Sequence, residues 1–339
     1  MIRVLVVGLG NMGMSHALAY HANPDFELVG LVARSRPDLP EELEGVPFSD
    51  DFEALRAELE PDLVCIATYT ESHAAYAIAA MEAGAHVFVE KPLADNIDDA
   101  RRVVETAERL GRKLVVGYIL RVHPSWRRFI DEARDLGGPY VFRLNLNQQS
   151  TGAEWEVHKA LMRSTSPIVD CGVHYVDVMC QITDARPREV RGMGLRLTDE
   201  IAPDMYNYGH FQVLFEDGSV GWYEAGWGPM ISETAYFVKD VIAPGGAVSI
   251  VAAEQGGSAD IDSHTRVGTL RVHREGGDRL IDLPDEPGHQ ALCDGEAALV
   301  ADAINNDRDL SRHNRDALTS LAICLAADQS VRSGKPVSL

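Results

Sequence analysis

Within its first 120 or so residues the chain carries short runs that are apolar throughout: Val4–Val7, Leu28–Val32, Leu63–Ala67, Val87–Val89 and Leu114–Val116. A strand with one wet face alternates in polarity. Runs with no polar member belong to strands covered on both faces, as in a parallel sheet. Helix-like stretches lie between them, including 70–84 and 95–111, the second opened by Asp95 as a cap and stopped by Gly111. This strand–helix alternation predicts a doubly wound α/β sheet.

Beyond residue 138 the pattern changes. Tyr140–Gln149, Glu189–Thr198, His210–Glu216, Ser219–Gly226 and Ala235–Ile242 are longer, more polar and partly alternating, with turns such as Glu216-Asp217-Gly218 between them. They predict an antiparallel sheet with one covered face. Alanine-rich helices follow at 288–306 and 313–333, able to pack on that sheet or back on the first domain. A length of 339 residues favours two domains. The expected boundaries are 1–121 for the doubly wound domain and 122–339 for an α/β domain with a large, mostly antiparallel open sheet. The sheet's uncovered face could serve as a subunit interface.

Composition removes several function classes. Lysine plus arginine number 31 against 52 acidic residues, a net charge of −21. Nucleic acid and anionic membranes need a basic footprint, so neither is an expected partner. An anionic cofactor would need a local positive site working against the global field. The five cysteines, odd in number and without CxxC spacing, read as reduced thiols. No apolar run approaches the ~18 residues of a membrane span. Met1 leads straight into a strand, and the expected location is cytoplasmic.

Gly8-Leu9-Gly10-Asn11-Met12-Gly13 follows the first apolar run and precedes a helix. In this spacing the first glycine makes a tight turn, the second admits a pyrophosphate and the third lets helix and strand pack closely. The helix N-terminus then meets the phosphates. Enzymes that use NAD place a carboxylate after the second strand for the ribose 2′-hydroxyl. Here that segment is Val32-Ala33-Arg34-Ser35-Arg36. Arg34 can face the adenine and pair with a 2′-phosphate while Ser35 donates a hydrogen bond, which predicts NADP over NAD. Were Arg34 and Arg36 only solvated loop charges, NAD would serve equally.

Two further segments carry chemistry. Glu90-Lys91-Pro92 ends the fourth apolar run, where open α/β sheets bind ligands. Asp170 and His174 stand four residues apart, one turn along one helical face. Oxidation of a secondary alcohol removes a proton as hydride leaves for the nicotinamide. Histidine suits the proton step, Asp170 can orient or activate it, and Lys91 can stabilise the developing alkoxide. Asp177 shares the His174 face. Asn147, Gln149, Trp155 and Trp227 are candidates to line a sugar pocket. No metal is expected, since His174 and Asp177 are only two plausible ligands.

With these residues in place, the chain resembles the glucose–fructose oxidoreductase / inositol dehydrogenase / rhizopine-catabolism (Gfo/Idh/MocA) oxidoreductases over nearly its full length. The likeness runs through the glycine turn, Thr68–His73, Glu90-Lys91-Pro92, Gly117-Tyr118 with Arg121 and Pro124, and Asp170–Asp177. It implies a Rossmann domain followed by an α/β domain, and dimers or tetramers formed through the C-terminal sheet. By the same resemblance, Lys91, Asp170 and His174 are catalytic, with His174 as the proton-transfer residue. Gly8, Gly10, Asn11, Met12, Gly13, Arg34, Ser35, Thr68, Thr70, His73, Glu90, Lys91, Pro92 and Arg121 fall on the cofactor side, with a cis bond before Pro92. Tyr118, Asn147, Gln149, Trp155, Arg163 and Asp177 join the catalytic three on the substrate side.

Three departures stand out. Tyr69 and Thr70 replace the usual Pro-Asn, and Ser164-Thr165-Ser166-Pro167 replaces a glycine cluster. His158, Lys159 and Arg163 add positive charge near that loop, a hint of an anionic or carboxylated substrate. The expected activity is NADP-preferring hydride transfer to or from a secondary carbinol of a sugar, sugar derivative or cyclitol. A redox-neutral glycosidase-type enzyme with tightly held cofactor and a non-catalytic NADP-sensing regulator fit the same residues.

Overall fold

The computed structural model describes residues 1–232, 238–251, 257–258 and 261–339. It divides into two compact units: residues 1–122 with 287–318, and residues 123–286 with 319–339.

The first unit holds β1 (Ile2–Val7), α1 (Asn11–Ala22), β2 (Phe26–Val32), β3 (Phe48–Ser49), α2 (Phe52–Leu59), β4 (Leu63–Ile66), α3 (His73–Glu82), β5 (His86–Glu90), α4 (Ile97–Leu110) and β6 (Leu114–Gly117). Its six strands are parallel in the order β3-β2-β1-β4-β5-β6, so the chain reverses direction across the sheet between β1 and β4. Ligands bind such sheets beyond the strands' carboxyl ends at that reversal. Val4, Leu5, Val6, Leu63, Val64, Cys65 and Ile66 are all fully buried, as strands without polar members require. Helix α4 is capped by Asn96, whose side chain accepts from Asp99 N, and not by Asp95. Asn96 sits in the extended conformation from which a side chain can reach back to the first turn.

The second unit opens with α5 (Pro124–Asp135), β7 (Val141–Gln148), α6 (Gly152–Leu161) and α7 (Pro167–Ile182). Then come β8 (Pro187–Leu195), β9 (Tyr208–Phe215), β10 (Val220–Trp227), β11 (Lys239–Ala243), β12 (Gly246–Val251), α8 (Ile261–Thr265), β13 (Thr269–Arg274) and β14 (Gly277–Asp282). Helix α9 (His289–Asn305) belongs to the first unit, the boundary falls inside α10 (Ser311–Ser333), and β15 (Val337–Ser338) closes the chain. The strands form one mixed sheet in the order β14-β13-β12-β11-β7-β10-β9-β8-β15. Only the β7–β10 pairing is parallel among the described residues. Of the strand expected at Ala235–Ile242, residues 235–237 lie outside the described residues. No helix among those described is long and apolar enough to cross a membrane.

Within the second unit, α7 lies against the sheet. A Cβ on Gly172 would meet Tyr223 of β10 at 3.1 Å and Cys324 of α10 at 3.2 Å, so glycine permits the close approach. Within the first unit, α9 packs on α1.

Candidate active site

The glycine turn has the geometry that a dinucleotide needs. Gly8 has φ +93°, and a Cβ there would stand 2.4 Å from the Ala67 carbonyl oxygen. A Cβ on Gly13 would stand 1.9 Å from the Gly8 carbonyl oxygen, so α1 can leave the turn at this angle only without a side chain. A Cβ on Gly10 would meet no other part of the chain within 4 Å, which leaves that flank open to a ligand. No side chain caps α1 at Gly10, consistent with N–H groups available to a phosphate. These residues fit a pyrophosphate.

Arg34 and Ser35 are exposed just past β2. The Arg34 guanidinium lies 6.0 Å from the Tyr69 ring centroid, and among the described residues no carboxylate pairs with it. Arg36 differs. Its Nη2 donates to the Glu44 carbonyl (3.1 Å) and its head lies over Phe48, so it braces its own loop. Thr68 Oγ1 and Ser72 Oγ share a hydrogen bond of 2.7 Å, folding Thr68–Ser72 into a compact turn after β4 that includes Thr70.

Two cofactor-side expectations are corrected here. Both ring nitrogens of His73 are engaged by backbone carbonyls, of Pro92 (2.8 Å) and Thr68 (2.9 Å), and the side chain is buried. It has no polar atom left for a dinucleotide. Glu90 is also buried: Oε1 lies 2.7 Å from His16 Nε2, and Oε2 accepts from the Lys91 amide at 3.1 Å. Its carboxylate therefore braces the turn that carries Lys91. Lys91 itself is half-buried and is followed by a cis bond to Pro92. Tyr118 is buried beyond β6, and Arg121 donates to Asp316 at 3.1 Å.

On α7, Asp170 and His174 are both partly accessible, one turn apart, whereas Asp177 is fully buried and accepts from Gln181 Nε2 (2.9 Å). That burial turns Asp177 from substrate contact into helix support. The helix begins at Ser166, whose Oγ accepts from Val169 N and donates to Asp328 Oδ1 at 2.6 Å. The Tyr206 hydroxyl donates to the same oxygen. Burial pushes the Asp328 carboxyl up, and these two donors oppose the shift. Tyr206→Phe removes one donor from a buried carboxylate and is expected to lower unfolding free energy by ~1–3 kcal/mol, read by urea denaturation.

Strand pleating revises the sugar-pocket candidates. Phe142, Leu144, Leu146 and Gln148 share the β7 face turned to α7, and Cys171 Sγ lies 3.6 Å from Gln148 Oε1. Asn147 points to the other face and donates to Glu224 (2.8 Å). Gln149, past the strand end, donates to the Ile231 carbonyl (2.7 Å). Neither belongs to the α7 side; Gln148 does. The alternation Phe142, Leu144, Leu146 was the available signal for it. Gln148 also accepts from Trp227 Nε1 (2.7 Å), and Trp227 stacks on His158 with centroids 4.3 Å apart and planes 3° from parallel. Trp155 is buried, with Nε1 on Glu200 (3.3 Å).

The expected positive charge beside α7 is largely absent. Burial pulls His158 down to about 4, Asp170 only partly opposing, so the ring is neutral at pH 7. Lys159 is neutralised by Glu156 and Glu200, both at 2.8 Å. Arg163 is exposed. A lysine that sequence reasoning passed over, Lys239, is buried with Nζ 4.3 Å from the Tyr175 ring centroid, and desolvation holds its pKa well below the usual lysine range.

Among the described residues one trio of possible metal donors lies together: His16, Cys293 and Glu296, with ligand atoms within 4.8 Å. His16 Nε2 is already engaged by Glu90, and burial together with the Glu90 charge pushes the Glu296 carboxyl well up, toward its neutral acid.

Residues 2–118 match the profile described as an oxidoreductase family with NAD-binding Rossmann fold (GFO_IDH_MocA), and residues 127–233 match the GFO/IDH/MocA C-terminal domain. The chain is 28% identical over 353 aligned positions to scyllo-inositol 2-dehydrogenase (NAD(+)) of Bacillus subtilis, covering 100% of this chain and 96% of that one. It is 25% identical to inositol 2-dehydrogenase of Rhizobium meliloti, covering 100% and 99%. Among solved structures, UDP-N-acetylglucosamine 3-dehydrogenase from Acidithiobacillus ferrooxidans superposes with a TM-score of 0.78 at 21% identity, covering 98% of each chain. GenD2 from gentamicin A biosynthesis, in complex with NAD, does so with a TM-score of 0.78 at 21% identity, covering 100% and 96%. At that identity the structural likeness establishes the fold.

Proposed function

Since the chain belongs to the Gfo/Idh/MocA oxidoreductase family, we propose that it transfers a hydride between NADP, in preference to NAD, and a secondary carbinol of a sugar, sugar derivative or cyclitol. Two observations, one within each unit, carry this reading. Lys91 follows a buried parallel strand of the unit with the open glycine turn, while Asp170 and His174 stand partly accessible on one face of α7. Curated relatives named as inositol, glucoside and UDP-N-acetylglucosamine dehydrogenases support the substrate class.

Gly8, Gly10, Asn11, Met12 and Gly13 would hold the pyrophosphate, and Thr68 and Thr70 would border the nicotinamide. When bound, the cofactor supplies the hydride acceptor or donor. His174 takes the carbinol proton in the oxidative direction and returns it in the reductive one. Asp170, one turn earlier on the same helical face, would orient the imidazole. Lys91 donates to the reacting oxygen and stabilises the negative charge that grows there. The neutral His158–Trp227 stack, with Gln148 beneath it, suits an uncharged polyol better than a carboxylated one. The exposed Val141, Met193, Leu195, Val220 and Ile242 on the C-terminal sheet support a homo-oligomer built through it.

The choice of NADP rests on Arg34 and Ser35 where a ribose-binding carboxylate would stand, although the B. subtilis relative is named for NAD(+). A panel of inositols, sugars and sugar acids, followed by the near-ultraviolet absorbance of reduced nicotinamide, tests both parts. NADP is expected to give the lower KM, and Arg34→Ala to raise KM for NADP about 10-fold or more with little change for NAD. A wild-type preference for NAD would remove the cofactor assignment.

A further inference from the structure

His73 opens α3, and its two ring nitrogens face two backbone oxygens: Nδ1 lies 2.8 Å from the Pro92 carbonyl and Nε2 lies 2.9 Å from the Thr68 carbonyl. A neutral imidazole has one N–H and one lone pair. Between two carbonyls, the neutral ring would hold that lone pair against a carbonyl oxygen, in a site where the residue is 1% exposed. A half-turn of the ring offers no escape, because it would present carbons to both acceptors. Imidazolium alone donates to both.

We propose that His73 is a positioning residue that keeps its second proton at neutral pH and uses both N–H groups to tie the turn after β4 to the Lys91–Pro92 turn after β5. Four groups face the ring: the Thr68 and Pro92 carbonyls, the Glu90 carboxylate and the Lys91 ammonium. Burial is the largest influence and, with Lys91, outweighs the two carbonyls and Glu90, so electrostatics alone would hold the ring below the ordinary histidine range. Against that balance stands the hydrogen-bond geometry, since neither carbonyl can turn away. The Thr68 oxygen is fixed by the compact turn at Thr68–Ser72, and the Pro92 oxygen by the Lys91–Pro92 turn that Glu90 braces. Glu90 supplies the compensating charge, itself held by His16.

The consequence for catalysis rests on the role proposed above for Lys91. Loss of the proton breaks one of the two ties and loosens the turn that carries the ammonium. The sign follows from linkage. A folded-state pKa above the unfolded value of ~6.5 contributes stability that is fully present below that value and is lost as pH rises through the folded pKa. Activity should therefore fall on the alkaline side.

The test is nuclear magnetic resonance of ring nitrogens in the wild-type apoprotein labelled with 15N-histidine, titrated from about pH 5.5 to about pH 9. His73 is assigned by the signals missing in His73→Gln or, if that variant does not fold, by through-space contacts of its N–H protons. The expected result is two protonated nitrogens at pH 7 and a single transition above neutrality. Turnover should fall across the same interval. His73→Gln should lose that limb, with kcat about 10-fold lower and KM for the polyol little changed. A neutral ring at pH 7, or one titrating below the ordinary histidine value, overturns the proposal. A protonated ring whose titration leaves turnover unmoved overturns the positioning role. The spectra need no substrate, so they stand or fall separately from the dehydrogenase assignment.

Discussion

Alanine at Lys91 is expected to lower kcat at least ~100-fold while NADP still binds. Lys91 follows the last residue of β5, and its amide donates to the buried Glu90 carboxylate. An ammonium beside the reacting oxygen stabilises the transition state, in which alkoxide character has grown, more than the bound alcohol. Removing it should depress kcat and kcat/KM together, with the dissociation constant for NADP changing much less. His174→Ala should cost a similar factor through the proton step. Its signature differs, because a small external base such as imidazole should restore part of the rate in that variant and none in Lys91→Ala. Near-normal turnover in both variants would remove the catalytic assignment.

The second large effect is expected at Gly13. Valine there would place a Cβ 1.9 Å from the Gly8 carbonyl oxygen, a backbone atom that no rotamer change can clear. Either α1 moves out or the turn opens, and both destroy the phosphate cradle. Dinucleotide affinity should fall at least ~100-fold by calorimetric titration, with a lowered melting temperature. Gly10→Ala is the matched comparison. Nothing lies within 4 Å of that Cβ, so the fold should be unaffected while affinity still drops, because the added methyl would occupy the ligand's side of the turn. Equal loss of stability in the two variants would mean that the glycines serve the fold alone.

The first unit was legible because its strands are apolar throughout and its helices are punctuated by Asn, Asp and Gly. The carboxyl-end positions of Gly8, Arg34, Thr68 and Lys91 then follow from strand order. Legibility failed where a residue's type fitted a ligand but its burial did not. His73 and Glu90 read as cofactor residues, yet both are interior groups bracing the turns around Lys91. Their partners, His16 and two backbone carbonyls, come from elements distant in sequence, which spacing cannot report. In the second unit a one-residue difference in pleat separates Gln148 from Asn147, and amide chemistry alone could not choose between them. Helix α5 was overlooked although Trp126, Phe129, Ile130 and Ala133 mark its buried stripe, because the intervening arginines and acids gave the segment the composition of a loop. Strands β13 and β14 were missed for a related reason. Arg271, His273, Asp278 and Arg279 make an edge hairpin that is polar on its open face and contributes little apolar periodicity.

Isotope transfer from a carbinol carbon tests the central claim most directly. Inositols and sugars deuterated at their secondary carbinol carbons, incubated with enzyme and NADP, should leave deuterium at C4 of the nicotinamide for at least one substrate, and Lys91→Ala should suppress that label with the cofactor still bound. Dinucleotide binding without label from any of them, or turnover of a glycoside with no net reduced cofactor, would contradict the assignment of this chain as a dehydrogenase.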